Sequence, residues 1–385
     1  MRRLVFITGH FPQQKRRTSM LWVTDHLQDD GWHVTYATVG YSWMSRIMRD
    51  RRLRALGHAP RTGATRISPT LTGLFGYSPY HPVNTRLGEP HVLNLLFAAY
   101  WRPRLGEPLS QADLVIIESG PPVALAPLVA DLAPQATRIY RVSDDIRLLN
   151  APLSLLSAEA QHQHFHRIST GSPLIAQRFS DHLNVTIDPM GVPHAQISQC
   201  RANPYRRTGR PIAVCAGSTL LDMDQVAQIA RGAPRWDIHV IGRLKSAAPT
   251  VPNVTWHGEK PFSETLAFVR HADIGLAPFA DRPGVEYQIT NSNRILLYRH
   301  TGLPILVPDR LATPDIPCLI SHSAPDWRTR CETYGRRPEA IPDWSALARS
   351  LVQNGDTVPP DVTSTLPDTM LNARVRTSPP LASTA

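Results

Sequence analysis

Cysteine is scarce in this sequence: Cys200, Cys215, Cys318 and Cys331 are the only four in 385 residues. None forms a CxxC pair or stands at zinc-ligand spacing, which excludes a zinc module and fits the unpaired thiols of a cytosolic protein. Long apolar runs are also missing. No segment approaches the ~20 apolar residues that span a bilayer, so any membrane contact is expected to be peripheral. The opening MRRLVFITGHF has two arginines, but its apolar run is about six residues, below the ~7–15 of a signal-peptide core. It reads as a first strand. No GxGxxG follows that strand, which disfavours a dinucleotide-binding domain. There is no internal repeat, no low-complexity core and no recognisable RNA- or DNA-binding module, so no nucleic acid partner is expected.

The residues present describe a globular chain. Apolar residues make up 42% and charged residues 19%, ordinary values for a folded protein. The length suits two domains, each with its own core. The formal charge of +10 is unevenly placed. Residues 1–110 hold fifteen Lys and Arg against six acids, a net of +9. That asymmetry points to an anionic partner for the first third, such as a membrane surface or a phosphorylated substrate; a generic solvated basic face is the plainer reading. The stretch Tyr41 to Leu56, YSWMSRIMRDRRLRAL, places Trp43, Met44, Ile47 and Met48 among five arginines. As one amphipathic helix it would lie on an anionic bilayer.

Strand and helix patterns alternate along most of the chain. LVFITGHFP, a helix from Ser19 to Gln28 and the strand WHVTYATVG form a β-α-β opening, with the Gly9–Thr18 loop at the carboxyl end of the first strand. ADLVIIESG and TRIYRVSDD are further buried strands, separated by PPVALAPLVADLAP, read as a helix. HRISTGSPLIAQRF and HLNVTIDPMGVPH continue the pattern, and the polar segment His194 to Arg210 reads as an interdomain linker. PIAVCAGSTL, with the turn Gly217-Ser218-Thr219, restarts the alternation. The expected fold is α/β, with two Rossmann-like domains, residues 1–200 and 201–353, facing across a cleft. A tail rich in Pro, Ser and Thr, residues 354–385, completes the chain and is expected to be loose.

The second half carries the clearest binding signal, from Asn253 to Pro308. IGLAPF and PILVP are short apolar runs closed by proline, as buried parallel strands are. Between them NSNRILLYRHTG begins with capping residues and ends at Gly302, a helix whose N-terminus would hold a phosphate. Arg294 adds a forked cation just inside that terminus. Glu259 follows the strand NVTWHG at the sheet's carboxyl edge, where a carboxylate suits a ribose or sugar hydroxyl. Together these suggest a nucleotide diphosphate site.

Three other patterns have two readings each. Asp222-Met223-Asp224 matches a DxD metal pattern, but acids at a helix start favour capping. His162, His164 and His166 alternate as strand ligands would, in a segment that reads as a solvated helix without a nearby carboxylate. The Ser143-Asp144-Asp145 strand end suits a general base, though acids at a strand end are more often helix caps.

The collinear motifs LVFITGHF, KRR, VTDHL, YSWMSRI, HPVNTR, DLVIIESG, IYRVSDD, AGSTL, HGE, ADIGLAPF and NRILLYRHTGLP resemble the bacterial xanthan-type glucuronosyltransferases (GumK-like, glycosyltransferase family 70). The likeness spans about residues 3–310 and implies the GT-B fold. It implies an inverting transfer of glucuronic acid from UDP-glucuronate to a polyprenyl-diphosphate-linked oligosaccharide, at the cytoplasmic face of the inner membrane during exopolysaccharide assembly. Asp144 matches the family's catalytic base. Glu259, Ser292 and Arg294 match nucleotide-contacting positions, and Ser218, Thr219 and Asn293 complete the donor set. Arg16, Arg17, Arg46 and Arg49 form the expected basic side facing membrane and acceptor. The resemblance implies no metal and no other cofactor. Departures fall on the donor side: Arg294 replaces a Lys, Asn293 and Thr219 replace Met, Phe279 replaces Tyr and Leu297 replaces Gln. Transfer of another UDP-sugar, a sugar-nucleotide epimerase, and a non-catalytic scaffold of a polysaccharide assembly complex are the alternatives.

Overall fold

The computed structural model describes residues 1–14, 17–83, 94–206, 208–244 and 247–353, with the side chains of Arg51 and Asn94 left aside. Arg16, part of the HPVNTR motif and the tail from residue 354 therefore lie outside the described residues.

Two sheets account for the strands. The first contains β1 (Arg3–Thr8), β2 (His33–Thr38), β3 (Gly63–Ser68), β4 (Leu71–Phe75), β5 (Leu114–Glu118), β6 (Thr137–Val142), β7 (Arg167–Thr170) and β8 (Val185–Ile187). Its order is β3-β4-β2-β1-β5-β6-β7-β8, parallel except for β3. The second contains β9 (Ile212–Ala216), β10 (Asp237–Ile241), β11 (Val254–Gly258), β12 (Ile274–Leu276), β13 (Ile305–Val307) and β14 (Leu319–Ser321). It is wholly parallel in the order β11-β10-β9-β12-β13-β14. Both sheets reverse direction of growth beside their first strand, the doubly wound pattern whose ligand crevice opens at the carboxyl ends there. Their central strands are apolar on both faces; β5 is buried throughout, because helices cover each side.

Sequence expectations and structure diverge in five places. The Tyr41–Leu56 stretch is two short helices, Trp43–Ile47 and Arg51–Arg54. Arg49 is left-handed (φ 52°), and the Asp50 carboxylate takes the backbone N–H of Arg52 at 2.7 Å, the local competition that interrupts helices at Asp. The Pro121 segment is a 3₁₀ turn, Pro121–Leu125, followed by a helix, Ala126–Leu132, since Pro127 supplies no N–H to a continuous helix. The helix before the histidine run ends at Ala160, His162–His164 is a 3₁₀ turn, and Asp181 lies 3.3 Å from His162. The Cys200-side linker begins with a helix, His194–Gln199. Finally, the hairpin β3–β4 had no counterpart in the sequence reading.

The final described helix, Trp344–Val352, returns to the first sheet's layer. Its apolar face buries Trp344, Leu347 and Leu351, and the Arg167 guanidinium of β7 donates to the carbonyls of Ser350 and Leu351 at 3.0–3.1 Å. The last-turn carbonyls of that helix are thereby satisfied. All four cysteines are free. No helix among the described residues is long and apolar enough to cross a membrane.

Candidate active site

The carboxyl ends of β9, β10 and β11 lie level, since Gly217 N–H donates to Ile241 O (2.7 Å) and Gly242 N–H to Gly258 O (2.8 Å). Gly217 and Gly242 both have positive φ (110° and 144°). A Cβ on Gly242 would stand 3.1–3.2 Å from Gly217 and Ser218, so the two turns approach closely only as glycines. Ser218 and Thr219 are carried on the first of these turns, half-buried.

The helix expected to bind the donor, here called the donor helix, is Asn293–Thr301, with Ser292 accepting the Ile295 N–H and left-handed Gly302 closing it. Ser292 is thus first of all the cap, which fixes where the free N–H groups point. Arg294 is buried. Its Nε donates to Ala216 O (3.1 Å), its Nη2 to Gly217 O (2.6 Å) and Thr219 O (3.4 Å), and its plane covers Phe279 at 4.8 Å. Those carbonyls are the negative end of β9, so the guanidinium locks helix to turn. Nη1 of Arg294 and Oδ1 of Asn293 are buried without a partner among the described residues. A buried donor or acceptor left unpaired costs about 1–3 kcal/mol.

Glu259 stands two strands away, after β11, mostly solvent-facing and paired with Arg243 Nη2 at 3.0 Å. Arg294 thus puts a buried positive charge beside the helix start and the β9 turn, and Glu259 puts a carboxylate toward the sheet's edge.

Across from it, β6 ends in the loop Ser143–Asp145. Ser119 Oγ accepts both the Ser143 and Asp144 N–H groups at 3.2 Å. Buried Glu118 accepts from Thr8 and, at 3.1 Å, from Ser143, with His10 Nε2 4.0 Å away. Asp145 is the cap: it receives the Arg147 N–H at 3.0 Å and pairs with Arg147 and Arg178. Burial would raise its carboxyl, but the bonds and charges of the two arginines hold it below the ordinary range. Asp144 is left half-buried at the mouth, its backbone immobilised on both sides. The cap function that the sequence allowed for Asp144 belongs to its neighbour.

The two halves meet here. Tyr287 Oη donates to Asp144 Oδ1 at 3.0 Å, and Asn291 Nδ2 donates to Ser143 O at 3.1 Å. Asn291 directly precedes Ser292, so the acid loop and the donor helix start are one junction. Neither Tyr287 nor Asn291 was singled out from sequence, because no motif marks them; nor was Glu118 given a role.

The basic residues separate. Half-buried Arg17 pairs with Asp25 and covers Trp22 at 4.3 Å, beside the Trp22–Phe262 contact between the two halves (5.6 Å). Arg46 and Arg49 are exposed on the 42–50 segment, where Trp43, Met44, Ile47 and Met48 are 50%, 58%, 74% and 74% exposed. Asp222 caps the helix Met223–Gly232 through the Gln225 N–H at 3.0 Å, the capping reading of the DxD pattern. No group of three or more His, Cys, Asp or Glu among the described residues is placed to hold a metal.

Two doubly wound sheets with their carboxyl ends opposed define a GT-B protein. Solved structures agree: trehalose 6-phosphate synthase from Burkholderia multivorans superposes with a TM-score of 0.59 at 12% identity, covering 91% of this chain and 98% of that one. A UDP-forming trehalose-phosphate synthase from Burkholderia xenovorans gives 0.56 at 12% identity, covering 91% and 90%. At that identity they speak for the fold alone. Closer likeness is to GumK-like glucuronosyltransferases: residues 6–170 match the family described as glucuronosyltransferase GumK, N-terminal domain. Over 323 residues the chain is 26% identical to a UDP-glucuronate:glycolipid 2-beta-glucuronosyltransferase of Xanthomonas campestris pv. campestris, covering 80% of this chain and 77% of that protein.

Proposed function

We propose that this chain is an inverting glycosyltransferase that moves glucuronic acid from UDP-glucuronate to a glycolipid, an oligosaccharide on a polyprenyl diphosphate, in exopolysaccharide assembly. The observation that carries the reading is the junction of Asp144 with the donor helix start, bridged by Tyr287 and Asn291. The named relative acts with UDP-glucuronate on a glycolipid, which supports this reading.

The diphosphate of the donor would lie at the Ser292–Arg294 helix start and the β9 turn, where the dipole, free N–H groups and Arg294 offset its charge. Glu259 would take a ribose hydroxyl, held in place by Arg243. Asp144 would accept the proton of the acceptor hydroxyl while that oxygen bonds to the anomeric carbon. The bond from that carbon to the diphosphate breaks on the opposite face, so UDP leaves with inversion. The leaving diphosphate is stabilised by protein groups, and the reaction is read as metal-independent.

A lipid-linked acceptor would put the enzyme at the inner membrane's cytoplasmic face. Exposed Trp43, Met44, Ile47 and Met48, flanked by Arg46 and Arg49, would dip into an anionic surface without spanning it. The test is calorimetric titration with UDP, UDP-glucuronate and UDP-glucose, with and without EDTA, followed by UDP release in the presence of a mannose-terminated polyprenyl-diphosphate acceptor. We expect UDP binding indifferent to EDTA, a preference for the glucuronate, and loss of at least 100-fold in turnover for Asp144→Asn with UDP still bound. Absence of UDP binding, or full activity of Asp144→Asn, would overturn the reading.

A further inference from the structure

We infer that Tyr287 is a positioning residue for Asp144, so that the acid loop on the first sheet is aligned only when the donor-bearing half is docked against it. The inference rests on the assignment of Asp144 as base.

Tyr287 belongs by sequence to the second half, in the 3₁₀ turn Val285–Tyr287 that leads into the donor helix. Its side chain is nonetheless 1% exposed and packs in the first half's core, with Tyr140, Val142 and Ile146 around the end of β6. Neighbouring contacts repeat the docking: Leu148 borders Gly284, and Asn291 Nδ2 holds Ser143 O. From that seat the phenol O–H reaches Asp144 Oδ1 at 3.0 Å. Burial, and next the Asp144 charge, push the phenol pKa upward, so Tyr287 stays a donor throughout the working pH range. A neutral donor held by core packing selects one rotation of the carboxylate and favours its charged form. The helix Asn293–Thr301 starts six residues further on, so the base's hydrogen-bond partner and the donor site share one short segment.

Among the charged groups facing this loop are Glu118 and His10 from β5 and the β1 loop, and Asp145 with Arg147 and Arg178. Tyr287→Phe alters none of them and keeps the ring in the core. Turnover of UDP-glucuronate with the polyprenyl-diphosphate acceptor is measured across pH for wild type, Tyr287→Phe and Asp144→Asn, alongside UDP affinity and Tm. Losing a hydrogen bond to the charged form raises a carboxyl pKa. The acidic limb of kcat/KM in Tyr287→Phe is therefore expected to move to higher pH, with kcat down about tenfold and donor KM, UDP affinity and Tm near wild type. An unmoved limb with inactive Asp144→Asn overturns the positioning role alone, as does a loss confined to donor KM. Retained activity in Asp144→Asn instead overturns the base assignment beneath it.

Discussion

At the scale of single residues, Arg294 has the sharpest consequences. Three backbone carbonyls of β9 and its turn depend on it, and hydrogen bonds to a charged group contribute about 1.5–3 kcal/mol each way. Arg294→Met keeps much of the volume but orphans those carbonyls, so it should lower Tm and weaken UDP binding at least tenfold, read by thermal denaturation and titration. Arg294→Lys should recover the charge but not the three-way fork, restoring affinity better than stability. The sequence made the residue conspicuous through its helix start; it could not reveal that most of its donors face protein. The same limit applies to Asp144 and Asp145. Adjacent acids at a strand end are indistinguishable by pattern, and only the paired arginines Arg147 and Arg178, one of them 33 residues away, assign the cap to Asp145.

At the scale of elements, continuous apolar runs between turn residues made β1, β5, β9, β12 and β13 readable, since a strand buried on both faces needs no alternation. The hairpin β3–β4 escaped because β3 is an edge strand with alternating exposure and Arg66 and Thr65 in its sequence. The Tyr41–Leu56 stretch was read as one helix and is two. Its break at Arg49–Asp50 concentrates the apolar side chains on one short helix, Trp43–Ile47, held by the reciprocal Ser42–Ser45 cap. Ile47→Ser with Met48→Ser should therefore reduce sedimentation with anionic vesicles several-fold, while UDP affinity and Tm stay near wild type. Raised salt should weaken the wild type in the same assay, because Arg46 and Arg49 act through screened charge.

At the scale of the whole molecule, Trp344–Val352 is late in sequence yet packed on the first sheet's layer, so its anchors bind distant parts of the chain together. Asp188, after β8, is the charged centre of that arrangement. It faces buried Arg141 of β6, receives Ser169 and Thr186 hydroxyls at 2.5 and 2.6 Å, and receives the Ser350 hydroxyl from the returning helix. Arg141 in turn donates to the Asp188 carbonyl at 3.0 Å and to Ser169. Burial by itself would raise the Asp188 carboxyl; the Arg141 charge and the three hydroxyls outweigh it and hold the carboxyl below its ordinary range. A carboxyl depressed on folding binds its proton more readily in the unfolded chain. Its stabilisation is complete above the unfolded value near ~4 and is lost as pH falls through the folded one. Tm of the wild type should accordingly drop as pH is lowered below about 4. Asp188→Asn should start from a lower Tm at neutral pH, because buried Arg141 loses the larger of the two carboxylate charges acting on it, Glu118 being the other, and the three hydroxyls lose an ionised acceptor. Its Tm should also fall less steeply in acid, the group responsible having been removed. Equal acid slopes in the two proteins would show that the C-terminal helix is held to the first sheet by packing and the Arg167 bonds, with the Asp188 charge contributing nothing that titrates.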